Sequence, residues 1–513
     1  MNIVFRVDSS IIIGSGHVYR CLSLAHQLRK NGHTISFATA EHLGNINSVI
    51  TESGFKLLLL APPTEHLDPK DPSTWLGRLY TQDAKNTLDK ISDIGPVDFL
   101  IVDHYGIDKR WELLLQSHVK QMVVIDDLAN RAHQCDILLD QTYGRTNSDY
   151  RSLVPSSASL LLGTHYALLR DEFLAAQTTV QTRRDKKQSI NSILLSLGGT
   201  DRNNVTKRLI ELLQSSPIDS CTKLIVIAGP NNPNYQSLLE TSQRSRFKHC
   251  QVLRSISNMA EIMTKADLAI GASGASAWER CALGLPSINI ELADNQKEIC
   301  RILAEEGAAI SLGSPQQINE HTLTQAIQHI QYNYQSMANK ATALVDAQGA
   351  RRTAASIMQT SLTNGQLVHL NLVTKEDCVQ LFQWQHEPGT REYAINPATP
   401  TEREHKAWFS QQLSNTAYHL YIVTNGEQPQ GMLRLDRLTE SDGYEISILT
   451  ASNSKRLGVA SAALKLARSL LPNSDFYATI LPKNKASLYL FKQQDYKAIG
   501  NNVFLQTANG SYT

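Results

Sequence analysis

Cysteine is scarce and scattered. The 513 residues include seven, at positions 21, 135, 221, 250, 281, 300 and 378, and no two form a CxxC pair. An odd, dispersed set argues against a disulfide framework or a zinc site and fits a reducing cytoplasm. An excess of either charge is also lacking. Lys and Arg total 49 against 48 Asp and Glu, a formal net charge of +1. That balance excludes broad electrostatic capture of nucleic acid or of an anionic membrane. No run approaches the roughly 18 apolar residues that suggest a transmembrane helix. The opening MNIVFRVDSS is interrupted by Asp8 before a signal-peptide core forms, so it reads as a first strand. There is no internal repeat and no low-complexity tract.

What is present suits a soluble globular chain of about three domains at roughly 150 residues each. Hydrophobic residues make up 42% and charged residues 19%, ordinary values for that class. The pattern divides into 1–180, 181–362 and 363–513. In the first part, NIVFRV (2–7), TISFA (34–38), DFLIV (98–102) and QMVVI (121–125) read as strands. A helix over 18–30 shows helical apolar spacing, and other helical segments intervene. Near-continuous apolar strands alternating with helices imply a parallel sheet buried on both faces. The polar QTRRDKKQSIN (181–191) reads as a linker. A second set follows at 192–197, 223–228, 250–255, 267–272 and 286–292, giving twin Rossmann-like domains. The segment 333–361 reads as one helix. The last 150 residues change character to a strand meander and a helix from about 458 to 470, an α+β arrangement.

The chemistry-bearing positions sit just past strands, where ligands bind in open α/β sheets. In RVDSSIIIGSGHVYR, Asp8 ends the first strand, and a loop with Gly14 and Gly16 leads into a helix at His17. The glycines let a ligand approach the backbone, and the helix N-terminus favours anions. The helix dipole disfavours a charged ring at His17, so this histidine either caps and packs or accepts a proton. The loop is neither a GxGxxG nor a Walker A motif. Asp103, His104 and Tyr105 form a second cluster at a strand mouth, either a site or an ordinary capped loop. The pair Asp126–Asp127 could bind a metal or a sugar hydroxyl or only cap a helix; with no metal-ligand spacing around it, the structural reading is favoured.

In the second set, LSLGGTD places Gly199 and Thr200 after a strand, with backbone amides suited to a diphosphate. GASGASAWER repeats the arrangement: Ser273 and Gly274 lie at a helix N-terminus, and Glu279 lies in its first turns. That carboxylate can accept from a ribose diol. Asn295 and Gln296 follow the next strand as amide donors. Together these pieces describe a nucleoside-diphosphate site.

The ordered motifs RVDSS…IGSGHVYRCLSLA, VDHYGID, IDDLANR, LGGTD, GASGASAWE and LADNQ resemble the hydrolase family of pseudaminic acid biosynthesis over about residues 1–360. That family removes UDP from UDP-2,4-diacetamido-2,4,6-trideoxy-β-L-altrose on a GT-B fold, which it shares with UDP-GlcNAc-using glycosyltransferases. The resemblance implies that His17 is the base that activates water at the anomeric carbon, with inversion and without metal. It implies that Tyr105 lies near the sugar. Asp8, Gly16, Gly199, Thr200, Ser273, Gly274, Glu279, Asn295 and Gln296 would bind the substrate.

In the third part, a strand YEISILT is followed by Lys455, Arg456, Gly458 and Ala460 at a helix start, an anion cradle. This resembles the acetyl-CoA pyrophosphate loop of the GNAT acetyltransferases, with Lys455 where Gln or Arg is usual. Asn484, Ser487 and Asp495–Tyr496 are similar to the second GNAT element, and the resemblance implies that Lys455, Arg456, Gly458, Ala460, Asn484 and Ser487 bind the cofactor. Phe491 stands where many members have a tyrosine general acid, and Asp495 replaces a glycine; Tyr489, two residues before Phe491, is the alternative acid. Glu445 is either a base acting through water or a strand glutamate facing solvent. The resemblance implies acetyl-CoA as co-substrate and acetylation of a UDP-linked 2,4,6-trideoxy amino sugar, the step before UDP removal. Three readings stand at this point: the bifunctional enzyme, a GT-B glycosyltransferase with an accessory acetyltransferase, and a chain in which one or both parts only bind, the C-terminal half being the weaker.

Overall fold

The computed structural model describes residues 1–508 apart from 186–188, 200, 230, 231, 255, 257, 415–417, 427 and 440–442. The chain divides into two compact units, Met1–Ala350 and Arg351–Thr513. The first contains two parallel sheets, and the second contains one mixed sheet.

The first sheet is built from β1 (Asn2–Val7), β2 (Thr34–Ala40), β3 (Lys56–Leu60), β4 (Val97–Asp103), β5 (Val119–Ile125), β6 (Ile137–Asp140) and β7 (Ser159–Leu162). Their order is β3-β2-β1-β4-β5-β6-β7, all parallel. Ile3, Val4, Phe5 and Val7 of β1 are fully buried, as expected of a strand covered on both faces. Strand order reverses between β1 and β4, so the connections leaving these neighbours diverge and open a crevice at their carboxyl ends. The GSGH loop follows β1 and the Asp103–Tyr105 segment closes β4. The sheet topology alone therefore brings these two motifs together.

The second sheet repeats the device. It contains β8 (Ser192–Ser196), β9 (Lys223–Ile227), β10 (His249–Leu253), β11 (Leu268–Ala272), β12 (Ser287–Ile290) and β13 (Ala309–Ser311). The order β10-β9-β8-β11-β12-β13 puts the switch between β8 and β11. The LGGTD turn leaves β8 and the GASGAS turn leaves β11. A close approach fixes one glycine here: a Cβ on Gly229 would lie 2.0 Å from the Gly199 carbonyl oxygen.

The polar stretch expected as a linker begins inside a helix, Asp171–Asp185. Its arginines account for the difference. Arg184 is buried and donates to the carbonyls of Met263, Ala266 and Leu283 and to the Tyr334 hydroxyl. Arg183 pairs with Asp267 at 2.5 Å. The charged stretch thus docks the helix, because long cationic side chains satisfy carbonyls at the ends of other elements. The stretch expected as one helix over 333–361 is also divided. A helix Glu320–Leu344 carries a non-helical Asn333, and a second helix spans Gly349–Ile357.

The second unit holds β14 (Thr360–Ser361), β15 (Leu367–Leu372), β16 (Tyr418–Asn425), β17 (Gln428–Arg437), β18 (Tyr444–Thr450), β19 (Phe476–Thr479), β20 (Lys497–Gly500) and β21 (Val503–Gln506). Strands β14 to β18 form an antiparallel meander. The pair β18–β19 is parallel and short, with register at Tyr444↔Phe476 and Glu445↔Tyr477. Beyond Glu445 the two strands part while β18 continues to Thr450 against β17. One sheet face packs on the helix Val459–Leu470, and the other on Leu381, Trp384 and Phe409.

Arg184→Ala should lower stability by at least about 2 kcal/mol, because it strands several buried carbonyls. Urea unfolding of the variant against wild type reads this directly. An unchanged midpoint would contradict the docking role.

Candidate functional sites

The loop after β1 is held from behind. Ser10 Oγ accepts from the Ile12 and Ile13 amides at 3.0 and 2.9 Å, a local turn. Asp8, expected at the ligand, is fully buried. Its Oδ1 binds Arg6 at 2.7 Å and accepts from the Ala40 amide at 2.7 Å. Its Oδ2 faces His42 and His104 at 3.4 and 3.3 Å. Burial alone would raise this carboxyl, but Arg6 and the two histidines hold it well below its ordinary range. Asp8 is therefore an anchor beneath the loop, held by Arg6 of β1 and by groups at or just past the ends of β2 and β4. Gly16 is exposed, and a Cβ there would meet nothing within 4 Å.

His17 opens the helix Gly16–Lys30 and is 8% exposed. Its Nδ1 lies 2.6 Å from Asp103 Oδ1. A carboxylate can only accept, so in this contact Nδ1 is the donor, and Nε2 lies on the far side of the ring. Arg20, one turn along the same helix, grips Asp103 through Nε and Nη2, both at 2.6 Å. Burial would raise the Asp103 carboxyl, but Arg20 and then His17 override it and hold it well below the usual carboxylate range. Arg20 also reaches Asp127 through Nη1 at 2.8 Å. Tyr105 donates to Asp127 at 2.5 Å and sets its ring edge-on to His17, with centroids 4.6 Å apart. Burial and Asp127 together push the Tyr105 phenol well above its ordinary value, so it stays a donor. Ile13, Leu67 and Trp75 pack beside it as an apolar wall.

The second sheet's motifs converge on the same crevice. A Cβ on Gly199 would come 3.6 Å from Ser15 Oγ, so the LGGTD turn lies against the GSGH loop. Thr200 lies outside the described residues. Asp201 caps the next helix, accepting from the Val205 and Thr206 amides at 2.9 Å each. Ser273 is fully buried, and Gly274 is the N-cap of the helix Ala275–Ala282 with open space where a Cβ would stand. Glu279 accepts from Arg170 at 3.3 Å, and burial, opposed by Arg170, raises its carboxyl. Arg170 lies 5.7 Å over the Tyr19 ring, linking Glu279 to the His17 helix. Asn295 donates to the Tyr105 hydroxyl at 3.4 Å. Gln296 uses its carboxamide oxygen on the Leu292 amide at 3.0 Å, a structural bond that leaves its NH₂ as the donor.

In the second unit, Gly458 has φ +85° and caps the helix Val459–Leu470 with no side-chain cap. The helix's first amides are unclaimed by a cap, with Lys455 and Arg456 exposed beside them and Ala460 in the first turn. Glu445 sits at the point where β18 and β19 part and accepts from Thr479 at 2.8 Å. Its cross-strand neighbour Asp436 pairs with Arg434 at 2.8 Å. Burial raises the Asp436 carboxyl against that pairing. Asn484 caps the helix Lys485–Gln493 by accepting from the Ser487 amide at 3.0 Å, so the N-x-x-S spacing has a structural job here. Phe491 is core, whereas Tyr489 is 70% exposed. Asp495 takes a left-handed φ of +61°, the conformation that a glycine would favour.

Sequence reasoning did not single out Arg20 or Asp436. Arg20 is three residues after His17 and so shares its helix face, a signal that was available. Asp436 becomes visible only through the β17–β18 register.

Residues 193–360 match the glycosyltransferase family 28 C-terminal domain, and residues 368–497 match the GNAT acetyltransferase domain. The UDP-2,4-diacetamido-2,4,6-trideoxy-beta-L-altropyranose hydrolase of Campylobacter jejuni is 28% identical over 313 residues, 60% of this chain and 95% of that protein. The chain is a homologue of that hydrolase. It carries a GNAT domain in addition. An uncharacterized protein of Methanocaldococcus jannaschii is 28% identical over 302 residues, and the match spans 58% of this chain but only 57% of the archaeal protein's length. The spore coat polysaccharide biosynthesis protein SpsG of Bacillus subtilis is 22% identical over 264 residues, 50% of this chain and 76% of SpsG. Among solved structures, MurG of Acinetobacter baumannii aligns with 69% of this chain and 97% of its own, at 14% identity and a TM-score of 0.48. The GNAT domain of S. lividans PAT aligns with 29% of this chain and 93% of its own, at 18% identity and a TM-score of 0.25. Among the described residues no helix is long and apolar enough to cross a membrane.

Asp140, at the end of β6, gives this network a pH signature. Burial and neighbouring Asp127, opposed by Arg145, push its carboxyl up to about 6. The unfolded value is near 3.9, so the folded protein holds this proton more tightly. The resulting stability is fully present below about pH 4 and is lost as pH rises through about 6. Wild type should therefore gain stability relative to Asp140→Asn as pH falls from 7 to 4. Paired urea titrations across that range read it, and a slope of opposite sign would contradict the assignment.

Proposed function

We propose that the first unit hydrolyses UDP-2,4-diacetamido-2,4,6-trideoxy-β-L-altropyranose to UDP and free sugar. The second unit would N-acetylate the 4-amino group of its UDP-sugar precursor from acetyl-CoA. These are consecutive steps of pseudaminic acid biosynthesis, which supplies sugar for flagellin glycosylation, and we assign them to the cytoplasm. The functional division follows 1–180, 181–362 and 363–513. The observation that carries the reading is the Asp103–His17 pair at one switch point, with anion-suited turns from a second switch point against it.

In the hydrolytic step, Nε2 of His17 takes a proton from water while the water oxygen attacks the anomeric carbon from the face opposite UDP. The bond from that carbon to the diphosphate oxygen breaks, UDP leaves with the electron pair, and configuration inverts. Asp103 stabilises the imidazolium that forms. Gly199 and Thr200, with the helix start at Ser273–Gly274, would hold the diphosphate, Glu279 the ribose diol, and Asn295 and Gln296 the remaining polar edges. Tyr105 and its apolar wall suit a deoxy sugar bearing acetamido methyls. No metal is assigned a role.

In the acetylation step, the amine nitrogen attacks the thioester carbonyl, the C–S bond breaks, and the CoA sulfur takes the proton from a general acid. Glu445 receives the amine proton through water. The uncapped helix start with Lys455, Arg456, Gly458 and Ala460 suits the CoA pyrophosphate. Asn484 and Ser487 support this site by fixing the following helix, and Tyr489 is the available acid. The glycosyltransferase family 28 match favours one second reading, transfer of the sugar to an acceptor alcohol.

An NMR time course with the chain, acetyl-CoA and the UDP-linked 4-amino sugar tests both steps. It should show the 4-acetamido sugar nucleotide first, then UDP and free sugar of inverted configuration. Acetylation without UDP release until an acceptor is added would favour transfer. His17→Ala should cut UDP release by about 100-fold or more and leave CoA release intact. UDP release at the wild-type rate would remove His17 from the role of base.

A further inference from the structure

Asp127 belongs to no step above, yet it closes a ring of contacts around the proposed base. His17 Nδ1 meets Asp103, Asp103 is gripped by Arg20, Arg20 reaches Asp127, Asp127 accepts from Tyr105, and the Tyr105 ring returns to the edge of His17. Every member is largely or wholly withdrawn from water. Asp127, the most open, has 17% of its side chain exposed. Each of its two oxygens has one task. Oδ2 takes the third nitrogen of the Arg20 guanidinium, and Oδ1 takes the Tyr105 hydroxyl.

We propose that Asp127 is a positioning residue for His17, acting through Arg20 on one side and Tyr105 on the other. The geometry gives it two effects. Without Asp127, Arg20 would be a buried cation facing a single carboxylate and free to rotate its plane, and the bidentate grip on Asp103 would lose its brace. Tyr105 would lose the acceptor that fixes its phenol, and with it the edge contact that limits rotation of the imidazole. Asn295 adds a second bond to the same hydroxyl from the loop after β12. The ring is thus tied to the half of the unit that carries the anion-suited turns. None of these atoms needs to touch substrate for the effect to operate.

The role rests on the reading of His17 as the base in UDP release, but its test has a readout that needs no substrate. In Asp127→Asn the charge that braces Arg20 is lost with almost no change in shape, and an NH₂ turned to the phenol reverses that hydrogen bond, Tyr105 then accepting. Tyr105→Phe breaks the other arm alone. We expect the ring Nδ1–H signal of His17, assigned by its loss in His17→Ala, to move in long-range ¹H–¹⁵N spectra of both variants. We expect kcat for UDP release to fall by about 100-fold in Asp127→Asn, the scale of a misoriented catalytic group. KM and UDP affinity should stay as in wild type, and Asp127→Glu should restore part of the rate. An unmoved His17 signal overturns the positioning role whatever the rate. A moved signal with unchanged kcat overturns its bearing on the reaction, and a loss of UDP affinity at unchanged kcat assigns Asp127 to the nucleotide instead. If the wild-type chain itself releases no UDP, the hydrolase reading fails, while the ring spectra still decide whether Asp127 orients His17.

Discussion

The buried carboxylate of Asp103 is the interaction on which the first unit's site depends. It ends β4 in the sheet interior, where an isolated anion would be costly. Arg20 and His17 both satisfy it, and both come from one face of the helix that leaves β1. One anion therefore fixes the angle of that helix, the tautomer of the histidine and the direction of its free nitrogen. Burial makes the arrangement stiff, because no partner can leave without exposing an unpaired charge to a low-dielectric interior.

Around that node the chain uses one device twice. Each parallel sheet of the first unit reverses its strand order once, and the glycine turns that carry the chemistry leave the strands flanking each reversal. One reversal presents His17 with an apolar wall, and the other presents helix starts and backbone amides suited to a diphosphate. The second unit relies on a different geometric fact. A parallel strand pair that parts after two residues leaves the far half of β18 open along one edge, with Glu445 at the fork and the Gly458 helix start beyond its end.

Much of this was legible in the sequence, because the alternation of apolar runs with helical spacing is a local property. The strands around His17 and the two tandem sheets follow from it. What escaped depends on distance along the chain. Asp8 reads as a substrate contact at the end of the first strand, yet Arg6 and two histidines just past β2 and β4 hold it in the core. Asp127 reads as a helix cap until Arg20, 107 residues away, is seen to reach it. Arg183 and Arg184 read as linker because most of their acceptors are carbonyls, which no side-chain pattern reveals, and their side-chain partners Asp267 and Tyr334 lie far along the chain. The Asn484–Ser487 spacing reads as a cofactor contact, whereas the same spacing is also what an N-cap requires.

The central claim is that a water molecule activated by His17 attacks the sugar's anomeric carbon and not the diphosphate. Running the reaction in ¹⁸O-labelled water and weighing both products tests it most directly. The account predicts the label on the released sugar and none in UDP. Label in the β-phosphate of UDP would mean that the P–O bond breaks, and would contradict the assignment of His17, Asp103 and the crevice they share.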